Sequence, residues 1–377
     1  MPKFIATFAV LLTTSLASAG DRWPQFRGPT GDGLSDAVGL PVIWSETENV
    51  TWKTPIHGRA WSSPVVLGNQ IWMTTAPEDG HEMSVICVAL DSGRIVHDIR
   101  LFTDIVVVQE MIALNSFASP TPVIEEGRVW VHFGVYGTAC LDTSTGKVLW
   151  MRRDIHCDHY RGPGSSPILY GDLLIFHMDG IDVQYVIALD KATGATRWKT
   201  DRSIDLEAYV PDLRKAYSTP LLIEVDGRTQ MLSTGSEGSY SYDPATGKEL
   251  WRVRHNGFSN VSRPLFGRGV AYLNTGFSKA HLWAVRCDGG GDVTDTHVEW
   301  TLTKAVPSKP TPVLVDGLLF MADDNGVASC VEAATGEVVW QERIGGKHSA
   351  SPIHAEGRVY FFSHEGETTV VQATRQF

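Results

Sequence analysis

The chain has 377 residues, of which 43% are hydrophobic and 20% charged, and its formal net charge is −11. This composition is typical of a globular protein with enough apolar residues for a sizeable core. The acidic balance argues against nucleic-acid binding, because phosphate backbones are bound by clustered Lys and Arg. The five cysteines are odd in number and scattered, so they predict no disulfide framework.

The first 19 residues have the pattern of a secretory signal peptide. Lys3 precedes an apolar run over residues 4–17, and residues 17–19 read Ala-Ser-Ala, a small-x-small cleavage signature. The run is short for a bilayer span, and no other segment is apolar enough to be one. We therefore expect export to the periplasm or the extracellular space. The expected organisation is a signal peptide at 1–19, a lead-in segment at 20–47 and one repeat domain at 48–377.

A nine-residue motif recurs along the chain. It reads DTSTGKVLW at 142–150, DKATGATRW at 190–198, DPATGKELW at 243–251 and EAATGEVVW at 332–340. Its acidic residue suits hydrogen bonds from backbone N–H groups of a turn, and its Gly suits a positive φ. The Trp begins an outer strand and can wedge between neighbouring sheets. We interpret the motif as structural.

Each motif follows a Pro-led segment of short alternating strands bounded by Gly, Asp and Asn turns. The aligned prolines are Pro64, Pro122, Pro167, Pro220, Pro264, Pro312 and Pro352. Seven units of about four strands, without helical periodicity, predict an all-β fold: a β-propeller of four-stranded blades. In the first unit His97 takes the place of the Trp, and the fifth unit keeps only Trp300.

The two ends of the repeat domain bear on ring closure. The segment NVTWKTP at 49–55 is similar to an outer strand, and Trp52 matches the repeated tryptophans. We expect it to complete the last blade and remove an exposed sheet edge. The seventh unit stops at TTVVQATRQF, before a Trp strand. Either Trp52 closes a seven-bladed ring, or a final blade is absent.

The repeats resemble the pyrroloquinoline-quinone (PQQ)-type propeller repeat, whose signature is an Ala-x-Asp-x-x-x-Gly-Lys-x-x-Trp docking motif. DRWPQFRGPTGDG at 21–33, CDHYRGPGSSP and KAYSTP are similar to segments of secreted bacterial PQQ-binding-like propellers. The resemblance implies a ring that usually has eight blades, so seven repeats point to a missing C-terminal unit. Quinoprotein alcohol dehydrogenases of this fold carry two adjacent cysteines and hold Ca²⁺ with carboxylates. In this sequence no two cysteines adjoin, and no acidic residue matches the catalytic base.

The segments before the inner strands are expected at one mouth of the propeller channel, and they contain no acidic residue. We predict a ligand site from their cationic, aromatic and histidine side chains: Arg59, Trp61, His159, Arg161, Lys215, Tyr217, Arg263, Lys309 and His348, with Asn115, Tyr160 and Lys347 beside them. Such a mouth on an acidic protein would attract an anion, such as a polycarboxylate quinone or an acidic glycan. The alternative is that these side chains tie neighbouring blades together.

Several acidic and histidine motifs favour loop structure over metal chemistry. HCDHY at 156–160 has the composition of a metal or acid–base site, but loop hydrogen bonding explains it better. HMDGID at 177–182 and DDNG at 323–326 are typical of hairpin turns rather than Ca²⁺ sites. Residues 288–299 have the length of a calcium loop but lack its Gly. We predict no metal site and no catalytic residue.

Two functions remain open. The first is a non-catalytic binding or scaffolding propeller that presents its mouth to an anionic small molecule, a glycan or a protein partner. The second is a quinoprotein oxidoreductase that binds PQQ and Ca²⁺ at the mouth. In that case the resemblance implies that Arg59, Arg161 and Lys309 pair with the cofactor carboxylates and that Trp61 stacks on its ring.

Overall fold

The computed structural model describes residues 22–108, 111–277 and 279–377. The signal-peptide prediction falls on residues 1–19 and lies outside the described residues. The described chain forms seven sheets in sequence order, and inner strands of neighbouring sheets contact one another. The predicted all-β propeller with seven repeats is therefore confirmed. Within the described ranges, no helix is long and apolar enough to cross a membrane.

The first four blades run from an inner to an outer strand. Blade one contains β1 (Arg22–Trp23), β2 (Val65–Leu67), β3 (Gln70–Thr75), β4 (Met83–Ala89) and β5 (Ile95–Phe102). Blade two contains β6 (Val123–Glu125), β7 (Arg128–His132), β8 (Thr138–Asp142) and β9 (Val148–Arg152). Blade three contains β10 (Ile168–Tyr170), β11 (Leu173–Asp179), β12 (Gln184–Asp190) and β13 (Thr196–Asp201). Blade four contains β14 (Leu221–Val225), β15 (Arg228–Thr234), β16 (Gly238–Tyr242) and β17 (Glu249–Arg254).

The last three blades follow the same plan. Blade five contains β18 (Leu265–Gly267), β19 (Val270–Asn274), β20 (Leu282–Arg286) and β22 (Val298–Leu302), while β21 (Gly291–Asp292) pairs in parallel with β17 of blade four. Blade six contains β23 (Val313–Val315), β24 (Leu318–Ala322), β25 (Val327–Glu332) and β26 (Val338–Arg343). Blade seven contains β27 (Ile353–Ala355), β28 (Arg358–Phe362) and β29 (Thr368–Gln372). Short 3-10 turns lie at Gly134–Tyr136 and Pro211–Leu213.

The apolar core is divided into clusters that lie between consecutive blades. In one of them Trp130 of blade two packs with Leu174 and Phe176 of blade three. Similar clusters join each blade to the next, from blade one to blade seven. Among the described residues no such cluster joins blade seven to blade one. Apolar burial therefore holds the blades in sequence order but leaves a seam between the last and the first.

The repeated motif builds the turn before each outer strand and ties neighbouring blades together. The Asp190 carboxylate accepts hydrogen bonds from the N–H and the hydroxyl of Thr193, at 2.9 and 3.0 Å. Gly194 has φ +75°, and a Cβ there would lie 2.7 Å from the Trp150 ring of the preceding blade. The Trp150 indole N–H donates to the carbonyl of Lys191 at 3.0 Å. The structural interpretation of the motif is confirmed.

The expectation that residues 49–55 complete the last blade is wrong. The indole N–H of Trp52 donates to the carbonyl of Leu90 at 2.9 Å, and the ring lies over Gly93 in the motif turn of blade one. Residues 49–55 form no strand, and within the described chain β29 pairs only with β28. The reason is that a docking Trp needs only the turn of the following blade, and it needs no β-ladder with the preceding one.

The lead-in segment bridges the seam through the centre of the ring. Its first residues pair as β1 with β2 of blade one, and Leu34 forms a parallel bridge with His354 in blade seven. Between these points Arg27 donates hydrogen bonds to the carbonyls of Pro312 and Pro352, at 2.9 and 3.1 Å. These prolines precede the inner strands of blades six and seven. The lead-in thus contacts both sides of the seam.

Candidate functional site

The segments that precede the inner strands lie on one face of the propeller, which we call the mouth face. Bridges connect Arg59 to Ala76, Phe258 to Phe277, and His348 to Ser363. In each pair the first residue precedes an inner strand, and the second follows the second strand of the same blade. Both kinds of loop therefore share one face, and the motif turns lie on the other, as strand direction requires.

Blades three, four and five meet on the mouth face in a group that we call the aromatic–cation cluster: Tyr160, Arg161, Lys215 and Phe258. The guanidinium carbon of Arg161 lies 4.3 Å from the centre of the Tyr160 ring. The ammonium of Lys215 lies 5.2 Å from the same ring and 5.4 Å from the Phe258 ring. These distances are within the range of cation–π attraction. The structure therefore brings together two of the predicted cations, and Tyr160 connects them.

Lys215 and Tyr217 are fixed by hydrogen bonds to neighbouring loops of the mouth face. Lys215 is only 3% exposed, and its ammonium donates hydrogen bonds to the carboxylate and the carbonyl of Asp212. Burial lowers the pKa of Lys215, while the hydrogen bond to Asp212 opposes that shift. The Tyr217 hydroxyl donates to the carbonyl of His159 at 3.0 Å. Lys215 is thus a fixed, paired cation rather than a mobile one.

His159 lies buried next to the cluster, where its carbonyl accepts the Tyr217 hydrogen bond. The side chain is 4% exposed, its Nδ1 lies 3.5 Å from the Cys157 Sγ, and its Nε2 has no hydrogen-bond partner among the described residues. Burial lowers the pKa of His159 to about 4, so the ring is neutral at pH 7. Nearby His156 contacts the Asp182 carboxylate at 2.6 Å. This confirms loop hydrogen bonding for HCDHY.

Arg59 and Trp61 form a separate pair between blades one and two. The guanidinium lies 5.0 Å from the centre of the Trp61 ring and donates to the carbonyl of Ala113 at 2.8 Å. Glu78 lies 3.7 Å from the same guanidinium. Trp61 is 54% exposed. This pair adds an exposed aromatic surface to the mouth face.

Lys309 and His348 lie together at blade six. The Lys309 ammonium contacts the Asp324 carboxylate, which also accepts a hydrogen bond from the Ser308 N–H at 2.7 Å. The backbone N–H of His348 donates to the carbonyl of Asp324 at 3.3 Å. Burial lowers the pKa of His348. These contacts fit the alternative from the sequence, in which the predicted site residues tie loops of neighbouring blades together.

Arg263 contacts the lead-in and lies apart from the aromatic–cation cluster. It is 2% exposed and donates to the carbonyls of Pro220 and Phe26, at 3.0 and 2.6 Å. Its neighbour there is Arg27, which the sequence did not single out as a functional residue. In the sequence Arg27 stands in an ordinary Phe-Arg-Gly segment of the lead-in, and no local pattern there indicates a buried cation.

One buried group imitates a hydrolytic triad. The Ser233 hydroxyl lies 2.8 Å from His177 Nε2, and His177 Nδ1 lies 3.8 Å from the Asp179 carboxylate. Arg202 occupies that carboxylate through two hydrogen bonds, at 2.7 and 3.0 Å, and also donates to the Ser233 hydroxyl. Each of these four side chains is at most about 2% exposed. The group therefore links blades three and four and has no access for a substrate.

The residues present do not fit the quinone site that the resemblance implies. Arg59 is bound by Ala113 and Glu78, Lys309 is bound by Asp324, and Arg161 is stacked on Tyr160. In the described ranges, no group of three or more His, Cys, Asp or Glu is placed to hold a metal ion.

The two acidic motifs form turns, as predicted. In DDNG the Gly326 N–H donates to the Asp323 carbonyl, and in HMDGID the Gly180 N–H donates to the Val183 carbonyl.

Seven radial sheets, Trp docking between blades and a loop-built mouth define a PQQ-type β-propeller. The family described as outer membrane protein assembly factor BamB matches residues 112–200, 182–306 and 282–375, and the chain belongs to this family.

Similar curated proteins match about half of the chain. The outer membrane protein assembly factor BamB of Yersinia pestis is 26% identical over 204 residues, 49% of this chain and 49% of its own length. The BamB protein of Moranella endobia is 26% identical over 197 residues, 48% of each chain. The chain therefore spans about half the length of the curated relatives it matches. Tetrathionate hydrolase of Acidithiobacillus ferrooxidans is 25% identical over 142 residues, 33% of this chain and 28% of its own length.

Solved structures share the fold at low identity. BamB from Moraxella catarrhalis has a TM-score of 0.60 at 15% identity, with 84% of each chain covered. A europium-containing methanol dehydrogenase has a TM-score of 0.51 at 12% identity, covering 94% of this chain and 90% of its own. At these identities the likeness concerns the fold alone.

Proposed function

We propose that this protein is an exported, non-catalytic scaffolding propeller that binds an extended protein segment across the aromatic–cation cluster. The observation that carries the proposal is the convergence of Tyr160, Lys215 and Phe258 from three different blades. Membership of a family named for outer membrane protein assembly supports a role in such assembly, in the periplasm.

The chemistry of the mouth face favours a segment with acidic and apolar side chains. Exposed apolar residues flank the cluster: Leu114 is 55% exposed, Val210 60% and Phe277 37%. Arg161 and Lys215 place two cations against the Tyr160 ring, so the cluster carries positive charge beside an aromatic face. An apolar and aromatic patch with charges at its side has the composition of a protein contact surface.

Photo-crosslinking from defined positions tests the proposal. A benzoylphenylalanine placed at Phe277 or Val210 in the native host is expected to yield one discrete protein adduct. The same group at Val148, on the exposed outer strand of blade two, is the matched control and is expected to yield none. Loss of the Phe277 adduct in Lys215→Ala, with unchanged thermal unfolding, would tie it to the cluster. Equal adducts from Val148 and Phe277 would contradict the proposal.

A titration with PQQ distinguishes this function from the quinoprotein alternative. We expect no saturable heat of binding, with or without Ca²⁺, from protein that unfolds cooperatively. Saturable, Ca²⁺-dependent binding that weakens in Arg161→Ala would overturn the scaffolding proposal and favour an oxidoreductase.

A further inference from the structure

Two buried arginines, Arg27 and Arg263, both contact lead-in backbone where the lead-in lies against the inner strands of the ring. Arg27 is 4% exposed and Arg263 is 2% exposed. Among the described residues, the hydrogen-bond acceptors that contact them are backbone carbonyls, from Phe26, Asp32, Pro220, Pro312 and Pro352. The Arg27 Nε has no hydrogen-bond partner in the part of the chain that the structure describes.

The two guanidiniums lie on either side of a short stretch of lead-in backbone. A Cβ at Gly31 would lie 2.5 Å from an Arg263 nitrogen, and one at Gly33 would lie 2.3 Å from an Arg27 nitrogen. Within the described ranges neither guanidinium forms an ion pair within 4.0 Å. Asp32 is the carboxylate near both, but it accepts its hydrogen bonds from the Thr30 hydroxyl and the Leu34 N–H, at 2.7 and 3.1 Å.

The charge balance of this group is therefore incomplete. A guanidinium stays protonated in proteins, and a buried charge without a counter-charge costs several kcal/mol. Burial lowers the pKa of Arg27 to about 10 and that of Arg263 to about 9, and Arg27 further lowers the latter by repulsion. Of the carboxylates that the structure describes, Asp32 is the one that acts on both of these permanent cations, so their charge is not balanced.

A cleft of about 400 Å³ opens beside Arg263, with Gln25, Pro29, Thr30 and Asp32 of the lead-in on one side. The ring side of the cleft is formed by Ile168, Leu221, Leu222, Ile223, Glu224 and Phe266. The exposed Glu224 carboxylate there accepts a hydrogen bond from the Thr229 hydroxyl. We propose that this lead-in cleft binds one small oxyanion, of the sulfate or phosphate type, which supplies the counter-charge for Arg263 and Arg27. The bound oxyanion would join the lead-in to the inner strands of the ring. Binding therefore stabilises the folded protein by RT ln(1 + [L]/Kd), which continues to rise with the logarithm of oxyanion concentration above Kd.

A titration of the whole chain with sodium sulfate tests the proposal. We expect a saturable heat of binding and a matching rise in melting temperature, neither of which sodium chloride at equal ionic strength reproduces. Sulfate also stabilises proteins by exclusion from their surface, but that effect does not saturate and gives no binding isotherm. Inorganic phosphate as a second arm shows whether the site accepts either oxyanion.

Variants separate an anion site from a set of carbonyl contacts. Asp32→Asn removes the competing negative charge and keeps an acceptor for Thr30 and Leu34. It is expected to lower the half-saturating sulfate concentration by about three- to tenfold, the effect of one unit charge in a partly buried site. Arg263→Lys retains a charge but loses the fork, and is expected to raise that concentration. Arg286→Gln, at an exposed position on blade five, is the matched control and is expected to change nothing.

Two results would overturn the proposal. One is the absence of a saturable sulfate isotherm in the folded wild-type protein. The other is an isotherm that is unchanged in Asp32→Asn, because a site next to that carboxylate must respond to its charge. Asp32→Asn replaces no buried side chain, so the second result stands even if the Arg263 variant fails to fold.

Discussion

Single residues in this protein show which features a local pattern can predict. The Asp and Gly of the motif were predictable because their partners lie within a few positions, as for Asp190 and Thr193. Arg27 was not, because its acceptors Pro312 and Pro352 are 285 and 325 positions away in the chain. The same holds for the pairing of Asp179 with Arg202 across 23 positions. Burial and charge pairing become visible only when the blades are assembled.

The Asp179–Arg202 pair gives a prediction at this scale. Both side chains are at most 2% exposed, so Asp179→Asn leaves the Arg202 charge buried without its counter-charge. We expect the free energy of unfolding to fall by about 3–5 kcal/mol. The measurement is the urea midpoint at pH 7.

Glu299→Gln serves as the control for that variant. It breaks the exposed pair with Arg286, and water replaces the lost contact, so little change is expected. Similar midpoints for the two variants would contradict a special role for the buried pair.

Elements repeat more regularly in the sequence than their contacts do in the structure. Strand order and the motif turns were predictable, because each blade is a local meander with its own turn residues. The partner of residues 49–55 was not, because Trp52 docks through one indole hydrogen bond and ring packing. A Trp pattern predicts docking but does not specify which sheet, if any, pairs with the segment.

Motif glycines give a prediction for this element. Gly194→Ala places a Cβ 2.7 Å from the Trp150 ring at φ +75°, so it loses both backbone freedom and blade packing. We expect a loss of about 2–4 kcal/mol in the free energy of unfolding. Gly171→Ala is the matched control, at φ +54° with nothing within 4 Å. It is expected to cost only about 1 kcal/mol, and an equal cost would argue against the Trp contact.

The whole molecule is a ring that apolar clusters hold from blade one to blade seven, with the lead-in bridging the seam. The mouth residues were predictable as a set, because each precedes an aligned proline. Their grouping was not, since Arg161 and Lys215 meet across blades. Arg59 contacts Ala113 of the next blade, whereas Lys309 pairs within its own blade. Contacts between blades depend on loop lengths and side-chain packing, which the repeat does not encode.

Buried neutral histidines make the stability of the folded propeller depend on pH. Burial lowers the pKa of His132 to about 3 and that of both His159 and His255 to about 4, and it lowers the pKa of His177 well below the usual value. The unfolded chain binds protons near pH 6.5, whereas the native state excludes them, so stability falls as pH decreases below that value. Between pH 6.5 and 5.5 the expected loss is about 1 kcal/mol per histidine.

Urea midpoints at pH 6.5 and 5.5 measure this loss directly. The motif carboxylates do not interfere, because hydrogen bonds keep the pKa of Asp142 near 2 and lower that of Asp190, below this window. His255→Gln is expected to reduce the pH dependence by about a quarter of the four-histidine total, whatever its effect on stability at pH 7. A urea midpoint that does not change between these pH values in the wild-type protein would contradict the prediction. It would mean that these imidazoles accept protons while the propeller stays folded.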